Sequence, residues 1–137
     1  INDRASLDFD YRRLNTDKII LSARFTLTPA VAKDVQETYT RHLENKRQTQ
    51  PVSAASAGCF FKNPENAPPA GKLIEDAGLK GKTVNSAMVS DLHANYIVNT
   101  GDATCKDVMK LQQFIQEKIF VKYRINLETE VRVEGEI

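Results

Sequence analysis

Cys59 is the residue on which chemistry could turn. It stands in "SAGCFFKN", behind small residues that let backbone and ligand approach closely and ahead of two phenylalanines that anchor the segment in a core. Lys62 and Asn63 follow, with hydrogen-bond donors suited to an oxygen-rich group. A free cysteine is among the most buried residue types and often serves only as a small hydrophobe. The other reading is a thiol that donates a proton or attacks as a nucleophile. An ordinary thiol, with a pKa near 8.5, is mostly protonated at neutral pH, which suits donation. By periodicity alone, Arg12 in "DYRRLN" is an ordinary surface cation and Glu130 in "ETEVRV" a solvated strand carboxylate. Brought beside a thiol, they would supply a cation for a substrate carboxylate and an acid for charge control.

Other chemistries find no motif. There is no C-x-x-C, H-E-x-x-H, G-x-x-x-x-G-K-[ST] or G-x-G-x-x-G, so zinc, Walker-type phosphate and Rossmann readings lack support, and no metal is expected. His42 and His93 are isolated and read as structural, as does Cys105 in the first turn of the last helix. With 19 Lys and Arg against 18 Asp and Glu, no net field draws the chain to nucleic acid or to an acidic membrane. Two cysteines are too few for a secreted disulfide framework, and no apolar run approaches the roughly 20 residues that span a bilayer. A cytoplasmic location is the expectation. The chain opens without an initiator methionine or a cleavable leader, which suggests a piece of something longer.

The elements that must position these residues follow from local signals. Across 137 residues, enough for one domain, "KIILSARFTL" (Lys18 to Leu27) reads as a strand. Thr28 and Pro29 then open a helix that runs to about Arg47. From Gln48 to Pro69, four prolines and many small residues indicate loop around one extended piece, "CFFKN". "AGKLIEDAGLKG" predicts a short helix with Leu73, Ile74 and Ala77 inward and Gly78 as its left-handed stop. "KTVNSAMVS" and "NYIVN" read as strands on either side of "DLHA". Thr104 and Asp107 form a T-x-x-D capping box for a helix to about Tyr123, with an apolar stripe of Val108, Leu111, Phe114, Ile115 and Ile119. The closing "INLETEVRVEGEI" suggests a strand, with Glu128 and Glu130 on a common face. The fold class is α+β: a mixed or antiparallel sheet packed with helices.

Taken in order, "SAGCFFKNP", "AGKLIEDAGLKG", "AMVSDLHANYIVNTGDATCKDV" and "LETEVRVEGE" resemble the C-terminal region of the UDP-N-acetylenolpyruvoylglucosamine reductases. Upstream, "FDYRR" resembles that family's F-x-Y-R-x-S segment, and "ILSARFTLTP" the strand that leads into its substrate-binding domain. The resemblance implies residues 1–27 as a remnant of the FAD-binding domain and 28–137 as the substrate-binding domain. It implies reduction of the enolpyruvyl ether of a UDP-sugar to a lactyl ether in peptidoglycan precursor synthesis, with NADPH and FAD as cofactors of the complete enzyme. FAD is not expected on this chain alone, because a complete member is about twice as long and carries the main flavin-binding region ahead of "FDYRR". The implied partners are UDP-N-acetylglucosamine enolpyruvate and that flavin-binding domain.

Residue by residue, the resemblance puts Cys59 at the family's proton donor, the fourth position of S-A-G-[SC], where serine is usual. Arg12 falls on the arginine that pairs with the enolpyruvyl carboxylate and Glu130 on the glutamate of E-V-R. Lys62, Asn63, Arg47, His93 and Tyr11 fall at substrate-binding positions. Three departures stand out: Asn85 and Ser86 replace a Gly-Gly pair, Leu14 replaces the serine after Y-R, and Thr129 replaces a proline. Two other functions compete. One is a non-catalytic UDP-sugar binding or regulatory module, which would have no need of a proton donor. The other is a thiol enzyme using Cys59 as nucleophile, for which neither histidine sits in a recognisable partner motif.

Overall fold

The computed structural model describes residues 4–10 and 13–135. The chain falls into two units, the first ending at Ala32 and the second beginning at Lys33. In the first unit a 3₁₀ turn, Arg4–Ser6, precedes a small antiparallel pair, β1 (Phe9–Asp10) and β2 (Arg13–Leu14), in which Phe9 faces Leu14 and Asp10 faces Arg13. Leu14, in place of the motif serine, thus sits within a strand.

The strand expected at Lys18 to Leu27 does not form. Residues 19–31 carry neither helix nor strand, and Ile19, Leu21, Phe25 and Leu27 are 86%, 92%, 79% and 83% exposed. The physical reason is that β-branched and aromatic residues favour a paired, half-buried pleated surface, and no described strand pairs with this segment. The following helix, α1 (Ala32–Thr49), begins three residues after Pro29 and buries none of its residues.

The second unit is built on an antiparallel sheet of order β3-β6-β5-β4: β3 (Ala55–Cys59), β4 (Thr83–Val84), β5 (Ala87–Val89) and β6 (Tyr96–Asn99). Helices α2 (Ala70–Asp76) and α3 (Cys105–Tyr123) share its core. "KTVNSAMVS" is a hairpin, since Val84 pairs with Ala87 across a two-residue turn. Asn85 adopts φ 48° there, a left-handed conformation that asparagine tolerates better than most residues, and its Nδ2 donates to Asp107 Oδ1 at 2.8 Å. The Asn85-Ser86 departure is thus accommodated, and it ties the hairpin to α3.

Helices α2 and α3 follow their sequence signals. In α2, Leu73 and Ile74 are buried, and the chain leaves through a Schellman arrangement. Gly78, at φ 71°, donates to Glu75 O at 2.8 Å, and Leu79 donates to Ile74 O at 3.2 Å. In α3 the capping box is complete: Asp107 N donates to Thr104 Oγ1 at 3.2 Å and Thr104 N to Asp107 Oδ2 at 2.9 Å. Leu111, Ile115 and Ile119, one turn apart, are fully buried against Val89, Ile97, Phe60 and Phe61. The closing segment is less regular than expected. Its only strand-like pairing among the described residues is one bridge, Thr129 opposite Phe61, flanked by Lys62 N to Glu128 O at 2.8 Å and Glu130 N to Phe60 O at 2.9 Å.

Candidate active site

The position of Cys59 is set by a β-bulge. From Ser56 to Cys59, β3 advances three residues while β6 runs only from Val98 to Tyr96, so one extra residue is accommodated. Gly58 sits in this irregularity at φ 87°, where a side chain would be strained. The consequence is a change of face. Had the register of Ser56 with Val98 continued, Cys59 would oppose Asn95; the bulge places it opposite Tyr96 instead. Ile97 and its partner Val89 belong to the core, so Tyr96, the neighbour of Ile97, lies on the opposite face with Cys59. Cys59 is half-buried there and does not belong to the buried core cluster. The small residues before it are a bulge, whereas the sequence suggested a loop; the strand lies at Ala55–Cys59, upstream of most of "CFFKN".

Beyond Cys59 the chain is gripped from two sides. On one, Asn95 is 4% exposed and clamps Phe61 at both backbone groups: Phe61 N donates to Asn95 Oδ1 at 2.9 Å, and Asn95 Nδ2 donates to Phe61 O at 2.8 Å. Phe60 N donates to Asn95 O at 2.7 Å. On the other side runs the segment carrying Glu128 and Glu130. The structure therefore sets the Glu130 backbone against Phe60, next in sequence to Cys59, and leaves the Glu130 side chain half-buried. Arg12 and Tyr11 lie outside the described residues.

The remaining expected site residues have defined neighbours. Lys62 Nζ pairs with Glu128 at 3.0 Å on an exposed surface, where an ion pair contributes little and can be exchanged for an anionic ligand. Asn63 Oδ1 accepts from Ala70 N at 3.0 Å, opening α2 and leaving Nδ2 as the group it can offer as a donor. Arg47 is exposed on the last turn of α1. His93 accepts the Asn95 N–H at Nδ1 at 3.2 Å and packs edge-on against Tyr96, with ring centroids 5.0 Å apart. Burial pushes its imidazole below the usual histidine range, against a smaller opposing effect of a backbone hydrogen bond, so the neutral ring is favoured. Cys105 is exposed at the start of α3 and fills no core position. Among the described residues no group of three or more potential ligands could hold a metal ion, and no helix is long and apolar enough to cross a membrane.

Three residues of this site escaped the sequence reading: Asn95, Tyr96 and Gln50. Tyr96 Oη donates to Gln50 Oε1 at 2.9 Å, and Tyr96 is the cross-strand partner of Cys59. Burial raises the Tyr96 phenol above its ordinary range, and the neighbouring Cys59 raises it further. The glycine of S-A-G-C was the available signal for the bulge that creates this pairing.

The family described as UDP-N-acetylenolpyruvoylglucosamine reductase, C-terminal domain, matches residues 50–134. A UDP-N-acetylenolpyruvoylglucosamine reductase of Synechococcus sp. (strain CC9605) is 45% identical over 136 residues, which cover 96% of this chain and 45% of that protein. One from Alkaliphilus oremlandii (strain OhILAs) is 44% identical over 134 residues, covering 95% of this chain and 43% of its own. The crystal structure of UDP-N-acetylenolpyruvylglucosamine reductase (MurB) from Thermus caldophilus matches with a TM-score of 0.79 at 33% identity, over 96% of this chain and 47% of that one. The chain thus spans just under half the length of these relatives. By the family match and these identities, it belongs to the UDP-N-acetylenolpyruvoylglucosamine reductase family and contains that family's C-terminal domain.

Proposed function

We propose that this chain is the substrate-binding part of an oxidoreductase that converts UDP-N-acetylglucosamine enolpyruvate to UDP-N-acetylmuramate in peptidoglycan synthesis. The observation that carries the proposal is the Gly58 bulge, which turns Cys59 out of the core, beside the segment bearing Glu130. In this reading the carbon next to the substrate carboxylate gains negative charge during reduction and takes the Cys59 proton. Arg12 pairs with the carboxylate, a task suited to a bidentate guanidinium, and Glu130 acts at the same end. Lys62, released from Glu128, and the Asn63 amide face the nucleotide-sugar, with Arg47 and His93 as further contacts and Tyr11 beside Arg12.

The hydride would come from FAD reduced by NADPH. The six glycines of this chain stand singly, with no glycine-rich loop to cradle a dinucleotide's phosphates, so the flavin is assigned to sequence outside these residues. Residues 1–27 are read as belonging to that flavin-binding part and 28–137 as the substrate-binding domain, acting in the cytoplasm. Calorimetric titration of UDP-N-acetylglucosamine enolpyruvate into the chain tests the substrate assignment. Saturable binding, tighter than that of UDP and weakened by Asn63→Ala, is expected. A folded chain that takes up neither nucleotide would overturn the assignment.

A further inference from the structure

We infer that Tyr96 is a positioning residue for the Cys59 thiol, its hydroxyl serving as a switchable hydrogen-bond donor held by Gln50 and turned to the sulfur when the thiol loses its proton. This deepens the proposed function, since it assigns a further residue to the proton donor's site.

Three observations carry it. Cys59 and Tyr96 are directly opposed across β3 and β6, on one face and only because of the bulge, so their side chains are cross-strand neighbours. The Tyr96 hydroxyl already has a proton acceptor, Gln50 Oε1, at 2.9 Å. The ring is fixed by edge contact with His93, and the backbone before it by Asn95, so the oxygen cannot swing away freely.

A phenol oxygen donates one hydrogen bond and accepts others, which defines two arrangements. With the thiol protonated, Tyr96 donates to Gln50 and its oxygen accepts the S–H. When the S–H proton passes to the substrate carbon, the electron pair stays on sulfur. Rotation of the Tyr96 O–H then moves its donor from Gln50 to the thiolate. Tyrosine keeps its proton throughout, and the sulfur is later reprotonated from water. A hydrogen bond to the charged sulfur is stronger than the one to the neutral amide, so the switch favours formation of the thiolate.

The test needs neither substrate nor flavin. The rate of iodoacetamide labelling at Cys59 would be measured by peptide mass spectrometry across pH in this chain and in Tyr96→Phe, with exposed Cys105 as internal reference. Alkylation proceeds through the thiolate, so Tyr96→Phe is expected to slow Cys59 labelling at neutral pH by about 5-fold and to displace its profile to more alkaline pH, leaving Cys105 unchanged. Loosened packing would have the opposite sign, because it exposes the sulfur and speeds labelling. Gln50→Leu frees the hydroxyl for the sulfur and should label at least as fast as the parent. Unchanged or faster labelling in Tyr96→Phe would overturn the inference, as would an equal slowing by Gln50→Leu. Failure here would leave the Cys59 proton-donor reading intact, because that reading is decided by turnover of a Cys59 variant.

Discussion

Asn95→Ala should be the most damaging single substitution near the candidate site, and the reason can be traced atom by atom. Phe61 is 1% exposed, and its N–H and C=O both end on the Asn95 side chain, at 2.9 and 2.8 Å. The flanking bonds to the closing segment involve Lys62 and Phe60 and do not reach these two groups. Truncation to alanine therefore leaves one buried donor and one buried acceptor unpaired, at about 1–3 kcal/mol each, or roughly 2–6 kcal/mol together. For a unit of this size that corresponds to a fall of about 10 °C or more in Tm. Urea unfolding followed by circular dichroism measures the loss directly, and an unchanged m-value would show that the folded state keeps its extent. Asn95→Asp separates the two bonds: it keeps the acceptor for Phe61 N–H but sets a carboxylate oxygen against Phe61 O. At neutral pH it should be at least as destabilised as the alanine variant, recovering as acidification protonates the new carboxyl into a donor. A loss below about 1 kcal/mol for Asn95→Ala would refute the reasoning, since water or a backbone shift would then be satisfying both groups.

Thr104→Ala removes the hydroxyl that accepts from Asp107 N and should cost about 1 kcal/mol, measured by the same unfolding curves; Thr104→Ser should restore most of it. The depressed imidazole of His93 predicts a pH dependence of stability. As pH falls, the unfolded chain takes up its proton first, so this contribution is complete above about pH 6.5 and declines as pH drops from there towards the lowered folded-state value. Urea midpoints at a series of pH values would show the decline, and His93→Asn should flatten it; an identical slope in both proteins would remove His93 as its source.

Legibility in the sequence tracked how local each cause was. The cap and stripe of α3 and the Gly78 stop of α2 are decided within a few residues, and both formed as read. Residues 18–27 illustrate the limit. Their β-forming composition is the same whether or not a partner strand is at hand, so it could not reveal that the segment would lie exposed. Cys59 and Glu130 stood out by motif, but which face the thiol takes depends on one inserted residue in a register between distant strands. Tyr96 passed as a strand aromatic for the same reason, and Asn95 as the first residue of the same strand, because its clamp on Phe61 joins distant stretches of chain.

The central claim, that Cys59 supplies the proton in the reductive step, is tested most directly by stopped-flow measurement of the two half-reactions in an enzyme that joins this chain to a flavin-binding region. Cys59→Ala should leave reduction of the flavin by NADPH nearly unchanged. It should slow reoxidation by UDP-N-acetylglucosamine enolpyruvate by on the order of 10²-fold, the loss typical of removing a positioned general acid, and Cys59→Ser should recover much of that rate. Reoxidation of the Cys59→Ala enzyme as fast as the parent would contradict the claim and return Cys59 to a packing role.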